Sequence, residues 1–182
     1  MSQAQIARIM RIPGQTTASE LQFLVHLAGI APLGGRIVEL GTYHGRTAAA
    51  LCLGGGAANV ITIDDYSCRE ATGGSRPTPT SVRGNLAALN YAAQVVCGDS
   101  RIVPPGIDRV TLLYVDSEHT RVQFDAEMAA WLPHVVSGGI VACHDYDSPT
   151  WLEMTGAISA WLGRWEYIGL VRRMIAFRRK VA

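Results

Sequence analysis

The chain has 182 residues, 48% of them hydrophobic and 17% charged, enough for one domain with a core that needs no disulfide or metal staple. A formal net charge of +1 gives no electrostatic reason to expect nucleic acid or an anionic membrane as partner. No stretch approaches the roughly 20 apolar residues of a spanning helix, and the N-terminus has Arg8 and Arg11 but no apolar run of the kind that opens a signal peptide, so the expected location is cytoplasmic.

Taken in chain order, Ile6, Ile9 and Met10 stand at near-helical spacing before the breaker Pro13-Gly14, so residues 1–18 read as a leading helix or arm. Ser19 is placed to cap a helix from Glu20 to Ala28, closed by Gly29 and Pro32. The period then changes. Arg36 to Leu40 is a short apolar strand, Gly45 to Leu53 a small-residue helix, and Val60 to Ile63 a second strand. Residues 68–81 carry Gly73-Gly74, Pro77 and Pro79 with few apolar residues, and read as a long loop placed to cover the site. Asn85 to Asn90 belongs to a helix and Ala93 to Cys97 to a third strand. Arg109 to Val115 is a fourth strand, His119 to Leu132 a helix, and Gly139 to Cys143 a fifth strand after a turn at Gly138-Gly139.

Short apolar strands alternating with helices indicate a parallel sheet covered on both faces. After a helix from Trp151 to Leu162 come two strand-like runs, Trp165 to Leu170 and Met174 to Arg178. Their short link allows a hairpin and not a parallel crossover. The expected fold is therefore α/β: a single domain over 1–182 with a doubly wound, mostly parallel seven-stranded sheet and an antiparallel C-terminal hairpin. Cys52, Cys68, Cys97 and Cys143 form no C-x-x-C pair and are expected to be reduced and buried. Tyr146, Trp151, Trp161 and Trp165 read as packing residues, and Arg172-Arg173 as a solvated hairpin tip.

In such a sheet, ligands bind beyond the carboxyl ends of the strands, where strand order reverses. The first strand end is Glu39-Leu-Gly-Thr-Tyr-His-Gly45. Gly41 and Gly45 allow a tight turn, and acidic Glu39 suits a cationic aminoacyl group better than a pyrophosphate. Asp64-Asp65 at the second end can accept ribose hydroxyls, and Asp99-Ser100 at the third suits an adenine edge. Asp116 and His119 close the fourth strand, and His144-Asp145 the fifth. Adjacent parallel strands bring these two carboxylates and two imidazoles together, a donor set suited to a divalent cation or to proton transfer. The bland alternative has Asp116 capping the following helix and the histidines packing at strand ends.

The runs Val38 to Thr47, Thr62 to Asp65 and Val96 to Ser100 resemble the successive cofactor motifs of class I S-adenosylmethionine-dependent methyltransferases. That resemblance implies that Glu39 and the turn Gly41, Thr42, Tyr43 and Gly45 hold the methionine part of S-adenosylmethionine. Asp64 with Asp65 would hold the ribose, and Asp99 with Ser100 the adenine. The turn departs from the pattern in having no glycine between Gly41 and Gly45, with His44 present instead. The segments Val115 to Thr120 and Gly138 to Tyr146 resemble a small bacterial subfamily related to macrolide-sugar O-methyltransferases and cephalosporin-hydroxylase-type proteins. This implies Asp116 and Asp145 as ligands of Mg²⁺ or another divalent metal, with Asp116 also beside the cofactor and His119 as general base. His144 stands where that pattern has a carboxylate.

The resemblance implies methyl transfer to a hydroxyl of a small-molecule acceptor, with no nucleic-acid or membrane partner. An N-terminal arm of this kind can pack against a second subunit. The alternatives are a nicotinamide-dependent oxidoreductase, a zinc hydrolase built on Asp116, His119, His144 and Asp145, and a non-catalytic cofactor-binding domain. The first would need a G-x-G-x-x-G turn that the sequence does not supply.

Overall fold

Side chains alternate across a strand, and that alternation sorts the helices of this protein into two layers. The computed structural model describes residues 2–67 and 76–181. In chain order these form α1 (Gln3–Ile9), α2 (Ala18–Ile30), β1 (Arg36–Leu40), α3 (Arg46–Gly55), β2 (Val60–Asp64), α4 (Pro79–Ala87) and β3 (Gln94–Cys97). There follow β4 (Val110–Val115), α5 (Arg121–Trp131), β5 (Val135–Cys143), α6 (Leu152–Leu162), β6 (Glu166–Val171) and β7 (Met174–Arg178). One sheet runs in the order β3-β2-β1-β4-β5-β7-β6. Strands β1 to β5 are parallel, β7 pairs antiparallel with β5, and β6 antiparallel with β7. This is the doubly wound sheet with a closing hairpin expected from the sequence.

Ile37, Leu112 and Ala142 face one layer, packed with Leu24 of α2, Ala49 of α3 and Leu86 of α4. Their strand neighbours Val38, Leu113 and Val141 face the other layer, packed with Phe124, Met128 and Ile158 of α5 and α6. Each of the larger of these side chains contributes about 1.5–3 kcal/mol by leaving water. Strand order reverses between β1 and β4, so the loops following them lead to opposite layers and part at the carboxyl edge. A cleft opens there.

Several boundaries differ from the sequence reading. Thr17, not Ser19, caps α2: its hydroxyl accepts the Glu20 N–H while the Glu20 carboxylate accepts the Thr17 N–H. Residues 79–81, expected in a loop, open α4, which has Pro79 in its first turn and a capping box between Thr78 and Ser81. Its apolar stripe is only Val82 and Leu86, too thin to signal a helix that starts so early. Residues 68–75 of that expected loop, with Cys68, lie outside the described residues.

Gly138-Gly139 makes no turn before β5. The strand begins at Val135, and Gly138, at φ 74°, sits in an irregularity of the β4–β5 register. Cys52 and Cys143 are buried, but Cys97 is exposed because β3 is the short edge strand. Among the described residues, no helix is long and apolar enough to cross a membrane.

Candidate active site

The cleft floor is set by the turn after β1. Gly41 and Gly45 take φ 89° and 87°, which favour glycine. A Cβ on Gly41 would lie 2.1 Å from the Asp116 carbonyl oxygen, so this turn rests directly on the end of β4. Asp64 Oδ2 accepts the N–H groups of Thr42 and Tyr43 at 2.8 and 2.9 Å, and its Oδ1 accepts that of Tyr66 at 2.6 Å. The carboxylate thus ties the β1 turn to β2. Asp65 is exposed beside it on the cleft wall, with Oδ1 accepting the Ser67 N–H.

Glu39 is wholly buried beneath the floor, where the Thr62 hydroxyl donates to its Oε2. Burial pushes its pKa up to about 8, against hydrogen bonds from Thr47 and Thr62 that hold it down. His44 of the turn is 4% exposed, edge-on to Tyr43, and burial lowers its pKa.

At the β3 end, Asp99 turns outward and pairs with Arg101 at 2.6 Å. Ser100 turns inward. Its hydroxyl donates to Glu127 of α5, which also accepts from the Ser117 hydroxyl and from Gln123 Nε2. Gln123 Nε2 donates to Ser100 Oγ as well, and the Trp131 indole donates to the Ser100 carbonyl at 2.6 Å. Burial raises the pKa of Glu127 despite these donors. The sequence reading passed over Glu127, although an acid among Phe124, Met128 and Trp131 on a buried helix face is a signal that a polar network lies beneath.

The ends of β4 and β5 bring four predicted residues together. The Asp116 N–H donates to the Leu40 carbonyl and the His144 N–H to the Val115 carbonyl, so sheet pairing itself sets their spacing. His119 Nε2 lies 2.7 Å from Asp145 Oδ2 and 3.7 Å from Asp116 Oδ1. His144 Nδ1 lies 3.0 Å from Asp145 Oδ2 and 3.5 Å from Asp116 Oδ1. The Tyr114 hydroxyl donates to Asp116 Oδ2 at 2.9 Å. Asp116 does not cap α5; Thr120 does. Asp145 holds φ 56°, a left-handed conformation that aspartate tolerates better than most residues and that aims its carboxylate at both imidazoles.

Two further residues complete the cluster: Glu20, which the sequence does not single out, and Trp151, which it marks only as a packing residue. Glu20 of α2 is 3% exposed and lies 3.3 Å from His144 Nε2, while its Oε1 also accepts the Arg173 N–H. Trp151 stacks on the His119 ring with centroids 4.7 Å apart and planes 16° from parallel; it is 40% exposed on the cleft rim and is not core packing.

Electrostatics follow from the geometry. Burial works against the charged form of every member, yet mutual pairing outweighs it. His119 is pushed up to about 9 by Asp116 and Asp145, and His144 up to about 11 by Asp116, Asp145 and Glu20. Asp116 and Asp145 are held below the usual carboxylate range by the two imidazoles, and Glu20 is held down at about 2 by His144 and Thr17. Three carboxylates thus face two imidazoles, and the carboxylates make each ring more basic than a free one. Asp116, His144 and Asp145 each offer an atom within 4.8 Å of the others, and the buried Nε2 atoms of His119 and His144 make no aligned hydrogen bond. This donor set fits a divalent cation, with Glu20 behind His144 in the place of the outer carboxylate that orients a ligating imidazole.

The sheet order, the antiparallel closing strands and the cleft at the strand ends define a Rossmann-like methyltransferase fold. Residues 38–146 match the family described as methyltransferase domain, and the chain belongs to that family. Its fold is shared by CalS11, a TDP-rhamnose 3'-O-methyltransferase of calicheamicin biosynthesis, at 20% identity and TM-score 0.64 over 97% of this chain and 81% of that one. The O-methyltransferase NovP is 16% identical, with TM-score 0.69 over 90% of this chain and 80% of that one. The tRNA (m1A58) methyltransferase TrmI from Aquifex aeolicus is also 16% identical, with TM-score 0.67 over 98% and 76%. No curated protein sequence matches the chain.

Proposed function

We propose that this protein transfers the methyl group of S-adenosylmethionine to a hydroxyl of a small molecule. The observation that carries the proposal is the meeting of Asp116, His119, His144 and Asp145 at the ends of β4 and β5, in the cleft whose floor is the adjoining β1 turn. On this reading the aminoacyl part of the cofactor lies over the turn from Gly41 to Gly45, the ribose by Asp64 and Asp65, and the adenine by Asp99 and Ser100. The sulfonium methyl then faces the ends of β4 and β5.

The fold alone does not select the acceptor atom, since sugar O-methyltransferases and a tRNA methyltransferase share it. The acid–imidazole cluster favours oxygen. A hydroxyl must lose its proton as it attacks the methyl carbon, and His119 in its neutral form is within reach to receive it, while Asp116 and Asp145 favour the imidazolium that forms and so make the ring a stronger base. Asp116, Asp145 and His144 would hold a divalent cation, which supplies a lowered pKa and a fixed position for a bound hydroxyl. A net charge of +1 supports a small acceptor over a nucleic acid.

The test combines calorimetric titration of S-adenosylhomocysteine with transfer of a labelled methyl group to a panel of sugar and phenol acceptors. The wild type binds the cofactor product and methylates a member of the panel. His119→Ala lowers kcat by about 10²–10⁴ and changes affinity for S-adenosylhomocysteine less than about twofold. Equal loss of turnover and affinity would remove His119 from the role of base.

A further inference from the structure

Strand β6 ends at Val171 and β7 begins at Met174, so the hairpin turns on Arg172 and Arg173 alone. Two-residue hairpin turns favour glycine and asparagine, because they demand positive φ. Arg172 nonetheless holds φ 55°, a conformation that costs a residue with a Cβ about 1 kcal/mol or more.

The tip is anchored over the acidic cluster at two points. The Arg173 N–H donates to Glu20 Oε1 at 3.2 Å, and the Arg173 carbonyl accepts the Tyr146 N–H at 3.0 Å. Both arginines line the cleft and both are exposed.

Other cationic side chains of the cleft are already committed. Arg46 donates to the carbonyls of Met10, Ile12 and Thr16, and Arg101 is paired with Asp99. The His119 and His144 rings face carboxylates. Among the described residues, neither the Arg172 nor the Arg173 guanidinium has an acceptor. A strained turn therefore holds, at the rim beside the proposed site of methyl transfer, two adjacent guanidinium groups that no described residue neutralises.

We propose that the acceptor is a phosphorylated small molecule, its phosphate or pyrophosphate held by Arg172 and Arg173 while its hydroxyl reaches His119. This rests on the methyltransferase reading above and adds the acceptor's chemical class. Two neighbouring guanidinium forks present paired N–H donors that match the tetrahedral oxygens of phosphate, and together they balance its charge. The solvated-tip reading explains neither the strain nor the anchoring of the turn to Glu20 and Tyr146.

The experiment titrates inorganic pyrophosphate, with succinate as a carboxylate control, into the full chain with and without saturating S-adenosylhomocysteine. The variants are Arg172→Gly, Arg173→Ala and the pair together. The wild type is expected to bind pyrophosphate below about 1 mM and succinate at least about tenfold more weakly, and the double variant to lose about tenfold or more for pyrophosphate.

Arg172→Gly separates function from folding. Glycine accepts the positive φ, so its melting temperature should hold or rise by roughly 0–4 °C while pyrophosphate affinity falls. Three results overturn the proposal: no pyrophosphate binding by the wild type up to about 10 mM, undiminished binding by the double variant, or succinate bound as tightly as pyrophosphate. Failure of S-adenosylhomocysteine to bind while pyrophosphate binding persists would strike the cofactor reading and leave the anion site standing.

Discussion

At the end of β2 the carboxylates of Asp64 and Asp65 serve the backbone, whereas at the ends of β4 and β5 carboxylates serve other side chains. Asp64 accepts three main-chain N–H groups and Glu39 lies sealed under the floor. Asp116 and Asp145, by contrast, face two imidazoles across 2.7 to 3.7 Å. The first half is a shape: its polar groups hold a turn in place. The second half is a charge balance on a preset frame, and on the proposed function a group there can be altered at the cost of reactivity more than of form.

The largest effect should come from the second half. Asp145→Asn keeps a side chain that tolerates φ 56° but removes the charge that both histidines face. Turnover is expected to fall by about 10²–10³ while affinity for S-adenosylhomocysteine stays within about threefold. Parallel loss of affinity, read by calorimetry, would mean that the two halves are not separable.

The converse is expected of Asp64→Ala. It strands the N–H groups of Thr42, Tyr43 and Tyr66, costing about 2–4 kcal/mol by denaturant unfolding and about tenfold in S-adenosylhomocysteine affinity. Asp65→Ala, on the exposed neighbour, should weaken that affinity with a stability change below about 0.5 kcal/mol. If the two variants lose stability alike, Asp64 is not the tie between β1 and β2.

The same contrast governs what could be read before the fold was known. Strand positions follow from alternation and short apolar runs, and β1 and β7 fall on the expected residues because each carries a core side chain at nearly every position. Asp116, His119, His144 and Asp145 were legible as a group because parallel pairing makes the ends of β4 and β5 neighbours. Glu20 was not, since it meets Arg173, 153 residues away, only when α2 packs beside the hairpin. Glu127 was hidden for a related reason: its donors Ser100 and Ser117 come from two different strand ends. Local pattern announces what a residue's own strand does with it, and says little about what arrives from another layer.

Trp151 lies between these cases and gives the smallest predicted effect. Its ring lies parallel on His119, and it stands just before α6, where no side chain caps the helix. Stacking on a cationic ring contributes about 0.5–2 kcal/mol, and an unstacked imidazole regains rotamer freedom of similar size. Yet His119 also lies 2.7 Å from Asp145, so much of its position survives without the indole. Trp151→Ala should lower kcat roughly three- to tenfold, Trp151→Phe less than about threefold, and neither should alter S-adenosylhomocysteine binding. An unchanged kcat in Trp151→Ala would assign the placing of His119 to the two carboxylates alone. A loss as large as that of Asp145→Asn would instead make the stacked ring, and not the charge balance, the main support of the second half of the cleft.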